Sequence, residues 1–282
     1  MAIYDSQLTV VALYSLIIIA IYSAKFITPL NELLQYGKTV SQDVREHARL
    51  ENNLIKQTIG FISKYFVVPK AWFVHFYITL FALSSLIFLA SFNEPISSDP
   101  EKFKNLILIH RLLWVQGIRR LTECLTITNF SKTSKMNVSH YVVGLSHYIL
   151  VTWATYLGLS KYGSHQVPNN YTVFDIVLII GFAICSLLQF QAHYHLSTLV
   201  KYTLPDFKFV SSPHYFYEIL IYTILLSFAI KDGFDMVSVT FFTAWLFVIS
   251  NLSISSLETF SYYQKKYKEE FKLKWAVLPG IL

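Results

Sequence analysis

The chain is poor in cysteine and in charge. Only Cys124 and Cys185 occur in 282 residues, so there is no disulfide framework and no zinc-type Cys/His pattern. Charged residues make up 14% of the sequence, far too few for a soluble domain of this size. There is no Gly-Ser linker, charge block or internal repeat to divide the chain, and 1–282 reads as one domain. Also missing are a GxGxxG turn after a strand, a Walker motif, a GxSxG elbow, a kinase signature and an HExxH pair. These absences exclude a Rossmann-held nucleotide, a P-loop and a zincin site. They leave no expectation of a metal. No basic-aromatic patch suggests nucleic acid.

What is present is apolar length. The sequence is 54% hydrophobic and 17% aromatic, with a mean hydropathy of +0.45. This predicts an all-α, polytopic membrane protein surrounded by membrane lipids. About seven stretches are near the ~20 residues a helix needs to cross a bilayer. They fall at roughly 8–28, 72–92, 106–128, 140–160, 172–192, 215–231 and 237–257. The first lacks a small-residue cleavage site and reads as a retained anchor. The basic connections alternate with sparse ones. Lys38, Arg45, Arg49, Lys56, Lys64 and Lys70, then Lys132 and Lys135, then Lys201 and Lys208, and the lysine-rich tail all fall on one side. The positive-inside rule makes that side cytosolic, with a lumenal N-terminus and a cytosolic C-terminus. The net charge of +6 needs no other explanation. The sequon Asn170-Tyr171-Thr172 falls in a predicted lumenal loop, close to the membrane.

Several polar clusters stand out against this background. Gln116, Arg119, Arg120 and Glu123 recur at i, i+3, i+4 and i+7, which puts them on one helix face. Two guanidinium groups and a carboxylate beside an apolar span suit an anion such as phosphate. The same pattern also fits a helix end whose arginines only set topology. In VPKAWFVHFY (68–77), Pro69 breaks a helix, and Lys70, Trp72, His75 and Tyr77 gather at the mouth of the second span. Interfacial anchoring explains the aromatics; His75 can alternatively polarise a carbonyl or give a proton. The fifth span ends with Gln189, Gln191, His193 and His195. Its two histidines, at i and i+2, point about 200° apart and do not form a metal pair. In FVSSPHYFYEILIY (209–222), Ser211 to His214 form a turn, and His214, Glu218 and Tyr222 share a face. Glu218 can accept from a carboxamide or a sugar hydroxyl, or else face water and the helix dipole. The polar segment around VREHARLENNLIKQ, with Glu46, Arg49 and Glu51, reads as a solvated helix face. The tail from Tyr262 to Leu282 reads as a membrane-surface helix or a cover over a cytosolic cofactor.

These stretches resemble the steroid 5α-reductase family, and within it the polyprenol/polyprenal-reducing, dolichol-forming branch. The likeness is carried by VPKAWFVHFY, by Arg119-Arg120-x-x-Glu123 with Phe130-Ser131 and Met136, and by His140-Tyr141-x-x-Gly144 through Tyr148. SSPHY-x-x-E and the closing FKLKWAVLPGIL extend it, so it runs from about residue 68 to 282, with 1–67 less alike. The resemblance implies a seven-helix membrane fold and an NADPH pocket facing the cytosol. It also implies reduction of the α-isoprene double bond of a long polyprenyl lipid in the endoplasmic reticulum membrane, which supplies the carrier for N-glycosylation.

The resemblance places Gln116, Arg119, His214 and Glu218 at or near cofactor contacts, and we count Arg120, Glu123, His193, Lys201 and Lys274 with them. Lys274 and Lys201 stand where the family usually has arginine, which keeps charge but loses the planar fork. His75 and Tyr77 are the candidate acids. Hydride adds to a carbon–carbon double bond only when a conjugated carbonyl takes up the charge. The aldehyde is therefore the expected substrate, rather than the allylic alcohol. Another enone or enoyl lipid, and a non-catalytic scaffold or transporter, are the alternatives; no internal repeat supports a transporter.

Overall fold

The computed structural model describes residues 2–27, 65–90, 99–131, 133–163, 170–200 and 203–282. Seven long helices follow one another: α1 (Ala2–Phe26), α2 (Phe73–Leu89), α3 (Pro100–Thr126), α4 (Val138–Tyr162), α5 (Val173–Thr198), α6 (Pro213–Ile230) and α7 (Met236–Tyr267). Each coincides with one predicted span. The polar segment centred on VREHARLENNLIKQ lies outside the described residues.

Six of the seven are long and apolar enough to cross a membrane, and the chain is an all-α, multi-pass membrane protein. The exception is α3, which is long enough but carries Lys102, Lys104, His110, Arg111, Arg119, Arg120 and Glu123. It is tolerated because one face is enclosed: Ile109 and Leu113 are fully buried and the helix packs on α2, α4 and α6, while Arg111, Val115, Ile118 and Leu125 stay exposed. Charged groups inside a bundle are partnered by protein rather than exposed to lipid. The opposite case is α5, which turns Val173, Ile176, Val177, Ile180, Ile184 and Leu187 outward, as a lipid-facing helix does.

The helix ends come from local chemistry. Asp99 caps α3 by accepting from Lys102 N at 3.1 Å, with Pro100 in the first turn. Thr172 with Asp175 and Asp235 with Ser238 form capping boxes at α5 and α7. Pro69 lies in a strand rather than at a helix break. It ends a short strand β1 (Val67–Pro69), which pairs antiparallel with β2 (Lys135–Asn137) in the register Val68↔Met136. A 3₁₀ turn, Lys70–Trp72, then leads into α2. The ribbon fixes the starts of α2 and α4 side by side. Gly144 sets how closely those helices approach: a Cβ there would lie 2.7 Å from Phe76 Cζ.

One end of the bundle is closed by charge. Asp175, fully buried, meets Lys231 and lies 3.8 Å from Lys104. Asp235 accepts from Tyr162, from Lys161 at 3.1 Å and from Ser238 N at 3.0 Å. This end gathers the starts of α3, α5 and α7 with the ends of α4 and α6.

Two outcomes follow. Gly144→Ala forces the Phe76 ring aside and should destabilise the protein by about 1–3 kcal/mol, read as a lower melting temperature in detergent. An unchanged melting temperature would show that α2 and α4 can part freely. At Asp235 burial works against the carboxylate, yet the Tyr162, Ser238 and Lys161 hydrogen bonds hold its pKa down at about 2, against 3.8 ordinarily. A lowered folded pKa contributes stability above the ordinary value, and this is lost as pH falls through about 4 toward 2. Asp235→Asn should flatten that acid limb in thermal melts; an unaltered limb would show that other groups carry it.

Candidate functional site

A second polar cluster lies toward the opposite end, inside the bundle, where α3 and α5 finish and α6 begins. Glu123 is its centre. The side chain is 3% exposed and its two oxygens are shared: Oε1 accepts from Arg119 Nη1 and Oε2 from Arg120 Nη1. Nδ1 of His193, from α5, lies 2.8 Å from Glu123 Oε2 and 2.6 Å from Arg120 Nη1. When protonated it donates to the carboxylate; otherwise it accepts from the guanidinium.

Each arginine then reaches a different helix. Arg120 Nη2 donates to Tyr77 Oη of α2 at 2.7 Å, and its guanidinium lies 4.7 Å from that ring's centre. Arg119 Nη2 donates to Gln116 Oε1 at 2.8 Å and to Gln189 Oε1 of α5. Its buried Nε has no partner among the described residues. Glu218 of α6 is the second acid: Oε2 accepts from Gln116 Nε2 at 3.0 Å and from Gln189 Nε2. Gln189 also donates to the His214 carbonyl at 3.1 Å, which ties α5 to the first turn of α6. The His214 and His193 rings are 5.4 Å apart.

The structure therefore brings together Gln116, Arg119, Arg120, Glu123, His193, His214, Glu218 and Tyr77. The two arginines are matched by two carboxylates, so the cluster is not the open anion fork that α3 alone suggests. Its donors and acceptors suit a neutral carboxamide as well as a phosphate oxygen. His75 turns elsewhere. Two residues along a helix is about 200°, and its Nδ1 meets Tyr141 Oη at 3.1 Å, beside Trp72. His195 likewise faces Phe207, on the other side of α5 from His193. Lys201 lies outside the described residues. Lys274 is exposed, in an extended segment rather than a surface helix, because α7 ends at Tyr267 and Lys268 takes a left-handed φ of 46°. That segment docks on the loop before α6: Val210 bridges Trp275, and Ser211 N and Ser212 N donate to the Trp275 and Ala276 carbonyls, both at 3.1 Å. Lys274 thus stands near the first turn of α6. Among the described residues no group of three or more His, Cys, Asp or Glu side chains is placed to hold a metal ion.

Gln189 is the component that sequence reasoning noted without assigning. Its signal was a carboxamide within an apolar span, which needs a buried partner. Tyr148, on α4, is another: its ring lies 5.8 Å from that of Tyr77. Nothing in its local sequence sets it apart from an interfacial tyrosine.

Removing Glu123 should expose how much the cluster depends on it. Glu123→Ala leaves two buried guanidinium groups uncompensated and should cost about 3–5 kcal/mol of stability, while Glu123→Gln keeps one acceptor and should cost less. Thermal melts of the purified variants test this. Equal stability of wild type and Glu123→Ala would mean the arginines find other partners.

The 3-oxo-5-alpha-steroid 4-dehydrogenase family profile matches residues 133–282. A polyprenal reductase of Saccharomyces cerevisiae is 33% identical over 273 residues, covering 94% of this chain and 91% of that protein. Polyprenal reductases of Danio rerio and Homo sapiens are 27% and 26% identical, covering 86% and 88% of this chain and 88% and 84% of their own lengths.

Proposed function

The chain belongs to the steroid 5α-reductase family, in its polyprenal reductase branch, and is therefore an oxidoreductase; from that premise we propose that it reduces the α-isoprene double bond of polyprenal with NADPH. It works in the endoplasmic reticulum membrane with the Glu123 cluster toward the cytosol, and its product leads to the dolichol carrier of N-glycosylation. The observation that carries the proposal is the enclosed network of Arg119, Arg120, Glu123, Gln116, Gln189 and Glu218 in a membrane bundle. So many partnered polar groups among apolar helices are costly without a ligand to receive.

The residues fit a nicotinamide cofactor. Glu218 Oε2 already takes two carboxamide N–H donors, from Gln116 and Gln189, and can take those of a nicotinamide carboxamide in their place. Arg119 Nε remains a buried donor for an oxygen acceptor. Lys274, near the first turn of α6, and Lys201 are the cations proposed for the phosphates. When bound, the reduced cofactor supplies a hydride to the β-carbon of the enal.

The protein's own groups manage the charge that follows. Hydride addition pushes electrons through the conjugated system onto the carbonyl oxygen, so a donor must meet that oxygen. Tyr77 suits this role, because Arg120 occupies a lone pair of its oxygen and leaves the O–H to donate. His75, partnered with Tyr141 at the edge of the bundle, is kept as a candidate acid for the later proton delivered to the α-carbon. Tyr77 is buried and Arg120 largely so, which strengthens their interaction.

The test is turnover by purified protein in detergent with NADPH, offering polyprenal, polyprenol and a steroid enone separately. Polyprenal alone should gain two hydrogens by mass spectrometry. Glu218→Ala should weaken NADPH binding about 10–100-fold, as loss of a buried hydrogen-bonded charge does. Tyr77→Phe should lower kcat about 100-fold. Reduction of polyprenol without aldehyde would contradict the charge argument, and turnover of the steroid alone would contradict the substrate.

A further inference from the structure

Behind the Glu123 cluster lies a chain of three buried titratable side chains that the mechanism above does not use. Tyr222 of α6 follows Glu218 by one helical turn, on the same face. Its hydroxyl lies 2.7 Å from His147 Nε2, on α4. The other ring nitrogen, Nδ1, lies 3.1 Å from Tyr14 Oη of α1, which also reaches the His147 carbonyl at 3.2 Å. Tyr14 is fully buried, and His147 and Tyr222 are 5% and 3% exposed, so water cannot replace any of these contacts. The adjacent residue, Tyr148, leads from His147 to Tyr77, with successive ring centres 5.1 Å and 5.8 Å apart.

A neutral imidazole has one N–H and one bare nitrogen, so only two arrangements satisfy the chain. In the first, Nδ1–H donates to Tyr14, whose own proton goes to the His147 carbonyl; Nε2 is then bare and takes the Tyr222 proton. In the second, Tyr14 donates to a bare Nδ1, and Nε2–H donates to Tyr222. The Tyr222 hydroxyl then keeps its proton free. Among the described residues His147 is its hydrogen-bond partner, and the free O–H points away from that ring, on the helix face that carries Glu218 one turn earlier.

We propose that Tyr222 is a second hydrogen-bond donor to the carbonyl oxygen of the aldehyde, with His147 and Tyr14 as positioning residues that hold its proton outward in the second arrangement. The proposal rests on the enal reduction above. No net proton leaves the triad: Tyr222 donates a hydrogen bond to the oxygen as negative charge builds there, and the tautomer of His147 fixes the direction. A helix tie alone would need the ring contacts but not the polarity of the chain.

The experiment uses full-length protein in lipid nanodiscs with NADPH and a short-chain α,β-unsaturated prenyl aldehyde. Tyr222→Phe should lower kcat about 100-fold, within the range for one oxyanion donor. NADPH affinity should stay near wild type, while the melting temperature should fall modestly because His147 Nε2 loses its buried partner. His147→Gln can still donate to Tyr222 and accept from Tyr14. It should retain at least ten times the kcat of His147→Leu, and a purely structural role would not give that order at equal melting temperatures. If wild type turns over and Tyr222→Phe keeps kcat within twofold, the donor role is overturned while the enal reduction stands. If His147→Gln and His147→Leu are equally active, the positioning role is overturned. A wild type that binds NADPH but leaves the enal unreduced overturns the functional premise and the inference with it.

Discussion

One carboxylate holds this arrangement together. Glu123 pairs directly with both guanidinium groups, and with Glu218 as the second acid it balances charge that an apolar bundle could not otherwise bury, since an uncompensated charge away from water costs several kcal/mol. Once Arg119 and Arg120 are fixed by it, their remaining donors point in set directions: one to Gln116 and Gln189, the other to Tyr77. The position of Glu218 follows, because the same two glutamines serve it. Four helices, α2, α3, α5 and α6, are thereby tied through two anions, Glu123 and Glu218.

The bundle is polarised along its length. At one end Asp175 and Asp235 collect lysines from helix termini and close the structure. Toward the other, the cluster is built of arginine and carboxamides, groups with planar, directional donors. Lysine–aspartate pairs suit a clamp, where charge matters more than angle. Guanidinium and carboxamide suit a place where a ligand must be held in one orientation. The proposed reductase chemistry belongs to the second end, since charge forming on a carbonyl oxygen is best met by fixed donors.

Much of this was legible along the chain, and the rest was not for identifiable reasons. Seven apolar stretches gave the helices, because hydropathy reports membrane contact directly. The predicted edges differ where capping residues decide: α3 starts at Pro100 after its Asp99 cap, earlier than hydropathy alone suggests, and α7 continues to Tyr267 past its apolar part. The face shared by Gln116, Arg119 and Glu123 follows from helix period, and their mutual hydrogen bonds have that geometry. What local spacing could not supply was the partner set. Gln189 and Glu218 lie 70 and 99 residues beyond Arg119 in sequence, and only packing reveals that they satisfy its helix. For the same reason an apparent anion fork is a balanced network. His75 and Tyr77 sit in one motif, yet the turn of α2 sends them to different neighbours. The tail's composition suggested a surface helix or a cover over a cofactor; its first residues continue α7 to Tyr267, and backbone hydrogen bonds from Ser211 and Ser212 hold the stretch around Trp275 against the start of α6.

Everything proposed for this cluster turns on hydride reaching the β-carbon of a prenyl aldehyde. The most direct measurement is product analysis after turnover of polyprenal with NADPH deuterated at the transferred position. One deuterium is expected on the β-carbon of the saturated α-isoprene unit, with the aldehyde intact. Deuterium on the carbonyl carbon, or a saturated product without deuterium, would contradict it.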